Sequence, residues 1–296
     1  MATPITLVTA RDMELFAALD RCPLTALQLL KVSQTFAVPF TAERCVRERL
    51  LRLCVAGRVR RGIYATASRG ALGYYSLTSL GYRLLHGRDA IPPRRLGHPI
   101  ALASQSHTQA LADVLVHTAV SAHQAGIAIA HFTGENMLQL TLGNEHLYPD
   151  SAFQLVLPPP LATTTNEEPV DGRDDVQTFS FYLELDNGSQ AVHSTKDLES
   201  WERKLRFYDR LQDQSEERFR VLVISTKSSE RLDHILRLAA ETTRLPERSL
   251  VYGATLSRYL ADNPVVFARV QNHRGLKVSL LPSHVGTAVQ AKVEVA

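Results

Sequence analysis

Residues 179–225 constrain the fold more than any other stretch of this 296-residue chain. Phe179–Asp186 alternates apolar and polar residues with the period of two that a β-strand imposes. Residues 197–211 then carry Leu198, Trp201, Leu205, Tyr208 and Leu211 at helical spacing, the stripe of an amphipathic helix. Phe219–Ser225 is a short, continuous apolar run of the kind buried in a mixed sheet. Upstream, residues 104–126 read as a long helix with Leu111, Leu115, Ala119 and Ala122 in line, and strand-like segments follow at 127–132, 137–142 and 147–157. A further helix is predicted at 228–243. Helix, three strands, helix and strand in this order predict α/β layers around a mixed central sheet.

The first hundred residues have a different character. Residues 1–103 hold 15 Lys+Arg against 6 Asp+Glu, and the remainder holds 18 against 24, so the net charge of +3 hides a basic part followed by an acidic one. Residues 9–22 and 24–32 read as helices separated by Pro23. A third runs from an N-cap at Thr41 to Gly57 as the residue past its end. Its apolar face is Val46, Leu50, Leu53 and Cys54; Arg44, Arg47, Glu48 and Arg52 lie roughly opposite. Arg58-Val59-Arg60-Arg61-Gly62-Ile63-Tyr64 and Gly73-Tyr74-Tyr75-Ser76-Leu77 flank a Gly-containing turn as a basic hairpin, and residues 77–85 close the unit as a helix. Three helices, a basic hairpin and a closing helix predict a winged helix-turn-helix. Its third helix would lie in the major groove of double-stranded DNA, with Arg44, Arg47, Arg52, Arg58, Arg60 and Arg61 contacting phosphate and base edges. The plainer alternative is a solvated helix face with i,i+4 pairs, or a winged helix that contacts protein.

The overall fold class is therefore α+β. Predicted domains span residues 1–88 and 104–296, joined by a linker at 89–103 with three prolines. The acidic, proline-rich residues 158–178 are expected to form a mobile loop. No apolar run reaches the ~18–20 residues of a membrane span, and the first residues lack the pattern of a secretion signal, so a cytoplasmic location is expected. Cys22, Cys45 and Cys54 have no ligand spacing and read as reduced, mostly buried residues. The histidines form no HExxH or HxxxH pair, which leaves a zinc site without sequence support.

Three segments of the second domain carry candidate chemistry. Tyr148-Pro149-Asp150 begins a strand, Glu184-Leu185-Asp186 ends the next long one, and Lys204 and Tyr208 lie on the following helix. Alternation turns Glu184 and Asp186 to one face and Phe181, Leu183 and Leu185 to the other. Asp150, Glu184 and Asp186 brought together would be three hard oxygen donors suited to Mg²⁺ or Mn²⁺. Such an ion polarises a phosphodiester and lowers the pKa of bound water. Each residue also has a structural reading. Asp186-Asn187-Gly188 is a turn signal, Asp150 can cap a turn, and Lys204 and Tyr208 can simply edge the packing stripe.

Pro-Asp, then Glu-x-Asp at a strand end, then Lys-x-x-x-Tyr on a helix resembles the PD-(D/E)xK nuclease superfamily. With the preceding winged helix and its Tyr75-x-Leu77-Thr78-x-x-Gly81 phrase, the chain over residues 8–225 resembles the replication-relaxation proteins of plasmids and other mobile elements. The resemblance implies a PD-(D/E)xK nuclease-like α/β domain with Asp150, Glu184, Asp186 and Lys204 as its catalytic set, Tyr208 in support and the three acids as metal ligands. It implies DNA and replication or relaxosome proteins as partners. One departure stands out: the superfamily's lysine two residues after the glutamate is Asp186 here, so Lys204, or Lys196, would have to supply the ammonium. Three functions follow as alternatives: a DNA-binding accessory factor of replication or relaxation, an active Mg²⁺-dependent endonuclease, or a winged helix fused to a protein-interaction domain.

Overall fold

A computed structural model describes residues 7–65, 72–135, 137–157, 177–194, 200–262, 265–267 and 269–281. The chain divides into two compact units, Met1–Val120 and Ser121–Ala296.

In the first unit, α1 (Ala10–Arg21) starts with a reciprocal capping box between Thr9 and Asp12. A two-residue strand, β1 (Leu24–Thr25), leads into α2 (Ala26–Val32), whose own capping box pairs Thr25 with Gln28. Next come α3 (Glu43–Val55), β2 (Val59–Tyr64), β3 (Leu72–Leu77) and α4 (Ser79–His86). The strands form one antiparallel sheet in the order β1-β3-β2. Sequence reading missed β1, because its pairing with Tyr74 and Tyr75 is a long-range event. It also capped α3 at Thr41, whereas the N-cap is Ala42, which makes no side-chain bond. Gly57 does end α3, at φ +66°, a conformation that favours glycine.

Leu15, Phe16, Leu29, Val46, Leu50, Leu53 and Leu77 are completely buried and form the centre of this unit. Gly81 lets α4 approach β2 closely, since a Cβ there would stand 2.1 Å from the Arg58 carbonyl oxygen. Residues 89–103 are tied to the hairpin. The Ile100 N–H donates to the Tyr74 hydroxyl (3.1 Å), and Leu96 is buried. The long helix α5 (Gln105–Gln124) follows, and the division between the units falls within it.

The second unit contains β4 (Ala128–Thr133), β5 (Leu140–Leu142), β6 (Glu145–Leu147), β7 (Ser151–Val156), β8 (Thr178–Asp186), α6 (Trp201–Gln214) and β9 (Phe219–Ser225). It continues with α7 (Ser229–Thr242), β10 (Val251–Thr255), α8 (Leu256–Ala261), β11 (Arg269–Asn272) and β12 (Lys277–Ser279). Seven strands form one mixed sheet in the order β12-β11-β10-β9-β8-β7-β4. The β8–β9 and β9–β10 pairs are parallel, and the other pairs are antiparallel. A parallel pair needs a crossover connection, and α6 and α7 provide the two required. These helices pack on each other and on the sheet. The core between them includes Trp201, Leu205, Tyr208, Val221, Val223, Ile235, Ala239 and Val251. Across the sheet, Phe153 stacks on Phe181 at 5.2 Å.

The chain is thus α+β with a mixed central sheet, as its sequence predicts. The segment predicted as a strand at 137–142 forms β5, which pairs only with β6 in a separate hairpin. Most of the predicted 158–178 loop (residues 158–176) lies outside the described residues, as does Lys196; Thr178 already belongs to β8. Among the described residues, no helix is long and apolar enough to cross a membrane. Cys45 is exposed on α3, contrary to the expectation for the cysteines, whereas Cys22 is buried.

Candidate functional site

The helix-covered face of β8 carries the candidate carboxylates. Tyr182, Glu184 and Asp186 alternate with Phe181, Leu183 and Leu185, and Tyr182 stacks on Tyr208 of α6 at 5.7 Å. Glu184 is fully buried. An isolated buried carboxylate costs several kcal/mol, so it needs partners, and α6 supplies two. The Lys204 ammonium donates to Oε2 at 2.6 Å, and the Tyr208 hydroxyl donates to Oε1 at 2.6 Å. Lys204 and Tyr208 are one helical turn apart and so reach the same carboxylate together.

Burial pushes the Glu184 carboxyl above its ordinary value and the charge of Asp150 adds to this, while Lys204 and Tyr208 offset part of the shift. Burial and the Glu184 charge hold the Tyr208 hydroxyl well above its usual range, so it stays a donor. Asp150 immediately precedes β7. The β7–β8 ladder ends at Ser151 opposite Leu183, and the Asp150 carboxylate accepts the N–H of Leu185 just beyond that end, at 2.6 Å. Asp150, Glu184, Lys204 and Tyr208 therefore form one neighbourhood at the end of β8.

Asp186 belongs to a different network. Its two oxygens accept from Arg231 Nε (2.7 Å) and Nη2 (2.8 Å) in a bidentate pair. They also accept from the Trp201 indole N–H (3.1 Å) and the Ser225 hydroxyl (3.1 Å). Burial alone would raise this carboxyl; the Arg231 bonds and charge, with Trp201 and Ser225, outweigh it and hold Asp186 below the usual carboxylate range. Sequence reading missed Arg231, which lies 45 residues along the chain in the first turn of α7. A signal existed: an arginine just after the Ser228 N-cap sits at the C-terminal end of β9, beside the end of its parallel neighbour β8.

The three acids expected as one donor set are divided between two networks in this arrangement. Asp186 is paired with Arg231, and Glu184 with Lys204 and Tyr208, so the two carboxylates serve separate networks. Among the described residues, no group of three or more His, Cys, Asp or Glu is placed to hold a metal.

In the first unit, the outward face of α3 is basic. The side chains of Arg44 and Arg47 are 88% and 66% exposed, in i,i+4 pairs with Glu48 and Glu43. Arg52 and, on β2, Arg61 are also exposed. The other two predicted contacts, Arg58 and Arg60, are less exposed. Arg60 Nε donates to the Ser76 hydroxyl at 2.9 Å and its Nη2 to the His98 carbonyl, bracing the hairpin against residues 89–103. Arg58 is half-buried, and its Nη1 is enclosed with no hydrogen-bond partner among the described residues. Arg49, on the same helix, turns inward and pairs with Asp12 (Nε to Oδ1, 2.6 Å).

The fold and the candidate site thus define an α+β protein with a mixed sheet, one long strand of which ends in buried carboxylates. The replication-relaxation family model matches residues 23–222, and the chain belongs to that family. No curated protein and no solved structure matches the chain.

Proposed function

We propose that this protein is a cytoplasmic double-stranded-DNA-binding factor of plasmid or mobile-element replication or relaxation. On this reading residues 1–88 act as a winged helix-turn-helix reader, and the second unit is a PD-(D/E)xK nuclease-like fold that does not cut. The observation that carries it is the exposed arginine face of α3 beside the β2–β3 hairpin. Exposed i,i+4 pairs such as Arg44–Glu48 contribute only about 0.3–0.5 kcal/mol, so a phosphate or guanine edge readily displaces the glutamates. Arg44, Arg47, Arg52 and Arg61 are the DNA contacts this reading favours, while Arg60 braces the hairpin through Ser76 and His98.

Duplex affinity measured between ~50 and 200 mM salt tests this reading, because each phosphate contact releases counterions. Arg44→Ala with Arg47→Ala should weaken binding at every sequence and reduce the log–log salt slope by about 2. A flat salt dependence, or a double variant that binds like the wild type, refutes it. The non-cutting half rests on Arg231 holding Asp186 apart from Glu184, which pairs with Lys204 and Tyr208. Supercoiled plasmid is expected to stay intact with Mg²⁺ or Mn²⁺. Nicking that disappears in Glu184→Gln would instead establish the endonuclease reading, with Lys204 as its amine.

A further inference from the structure

We propose that His193 and His234 form an exchangeable transition-metal site in the second unit, suited to Zn²⁺ and similar borderline ions. His193 precedes α6 and His234 lies on α7; their Nε2 atoms face each other at 3.1 Å. An ion bonded to two imidazoles at about 2.0–2.1 Å spaces their nitrogens by about 2.9 Å at a right angle and about 3.4 Å at the tetrahedral angle. The observed separation of 3.1 Å falls between these limits, so the spacing of the two nitrogens already suits a shared ion.

The backbone under both residues is fixed. The N–H groups of Trp201 and Glu202 donate to the carbonyls of Ala191 (3.0 Å) and Val192 (3.1 Å), tying the His193 segment to the start of α6. Val192 is buried in the core, and α7 is packed against α6 and the sheet. Behind His193, on its other ring nitrogen, Glu202 Oε2 stands 3.9 Å from Nδ1. A small ring movement would bring that carboxylate within hydrogen-bonding distance of Nδ1, which would hold the proton there and leave the Nε2 lone pair for a metal.

A ring-to-ring hydrogen bond alone explains the pair poorly. The His193 side chain is 52% exposed, and a neutral N–H···N bond that competes with water yields little net stability. The protein supplies two nitrogens, since no third His, Cys, Asp or Glu converges among the described residues, and water completes the shell. This makes the site labile, unlike a closed structural zinc centre.

The test is calorimetric titration of tag-free, full-length protein with Zn²⁺, with Co²⁺ absorption as an independent reading of ligand geometry. One equivalent is expected to bind saturably in the wild type and in His123→Ala, a control at an exposed histidine on α5. His193→Ala and His234→Ala should each weaken it at least tenfold and remove the Co²⁺ band. Circular dichroism should show both variants folded, as expected at exposed positions. Saturable binding undiminished in His234→Ala, or none in the wild type, overturns the proposal. Neither outcome depends on whether the chain binds DNA.

Discussion

Replacing Lys204 by methionine would take an ammonium away from a carboxylate that has no access to water. Glu184 is completely buried and the Lys204 side chain is 12% exposed, so solvent cannot replace the lost charge. Breaking such a pair from one side costs about 3–5 kcal/mol. Protonation sets a ceiling, because Glu184 can fold neutral instead. From an unfolded value of 4.5, neutralising it at pH 7 costs about 3.4 kcal/mol, at 1.36 kcal/mol per pH unit. Because wild-type Glu184 already folds with a raised pKa, Lys204→Met should lose at most about 3 kcal/mol at pH 7, or no more than roughly 6–12 °C in melting temperature for a unit of this size.

The sign of the pH dependence follows from the same reasoning. In the variant the folded pKa of Glu184 lies far above the unfolded one, so the folded state holds the extra proton between the two values. Stability relative to wild type then rises as pH falls, by about 1.4 kcal/mol per unit, and the deficit closes as pH reaches the folded pKa of wild-type Glu184, which itself lies above the unfolded 4.5. The single tryptophan, Trp201, is buried on α6, and its fluorescence during urea unfolding reports on this unit. Adding Glu184→Gln to Lys204→Met should restore much of the loss at pH 7. A deficit that is independent of pH, or below ~1 kcal/mol, would refute the reasoning.

Two further outcomes follow from the structure. Asp186 is held below its ordinary value, so its contribution is complete above about pH 3.8 and is lost as pH falls through the folded pKa. Asp186→Asn should thus cost about 2 kcal/mol at neutral pH, with the gap to wild type narrowing in acid unfolding below that point. Gly81→Ala should destabilise by about 1–3 kcal/mol in thermal melts despite alanine's better helix propensity, because its Cβ would meet the Arg58 backbone oxygen at 2.1 Å. A melting temperature equal to wild type would show that α4 can shift outward freely.

Local pattern was enough to find most elements and the side-chain directions on β8. A period of two turns Glu184 and Asp186 toward one face, and a helical stripe brings Trp201, Leu205 and Tyr208 to that face; the structure has both. The basic face of α3 was legible for the same reason. Local pattern could not say which arginines are free, since the partners of Arg60 lie 16 and 38 residues away and reach it only in the folded state.

The amino-acid order thus settled the strand–helix alternation, the shared face of Glu184 and Asp186, and the i,i+4 placement of Lys204 and Tyr208, because those depend on periodicities within a few residues. Tertiary structure decided what each carboxylate does. Parallel pairing of β8 with β9 sets Asp186 beside Ser225, and the following helix brings Arg231 onto it. A bidentate ion pair in a buried setting is a choice of partner made by topology, and nothing in residues 184–186 alone encodes it.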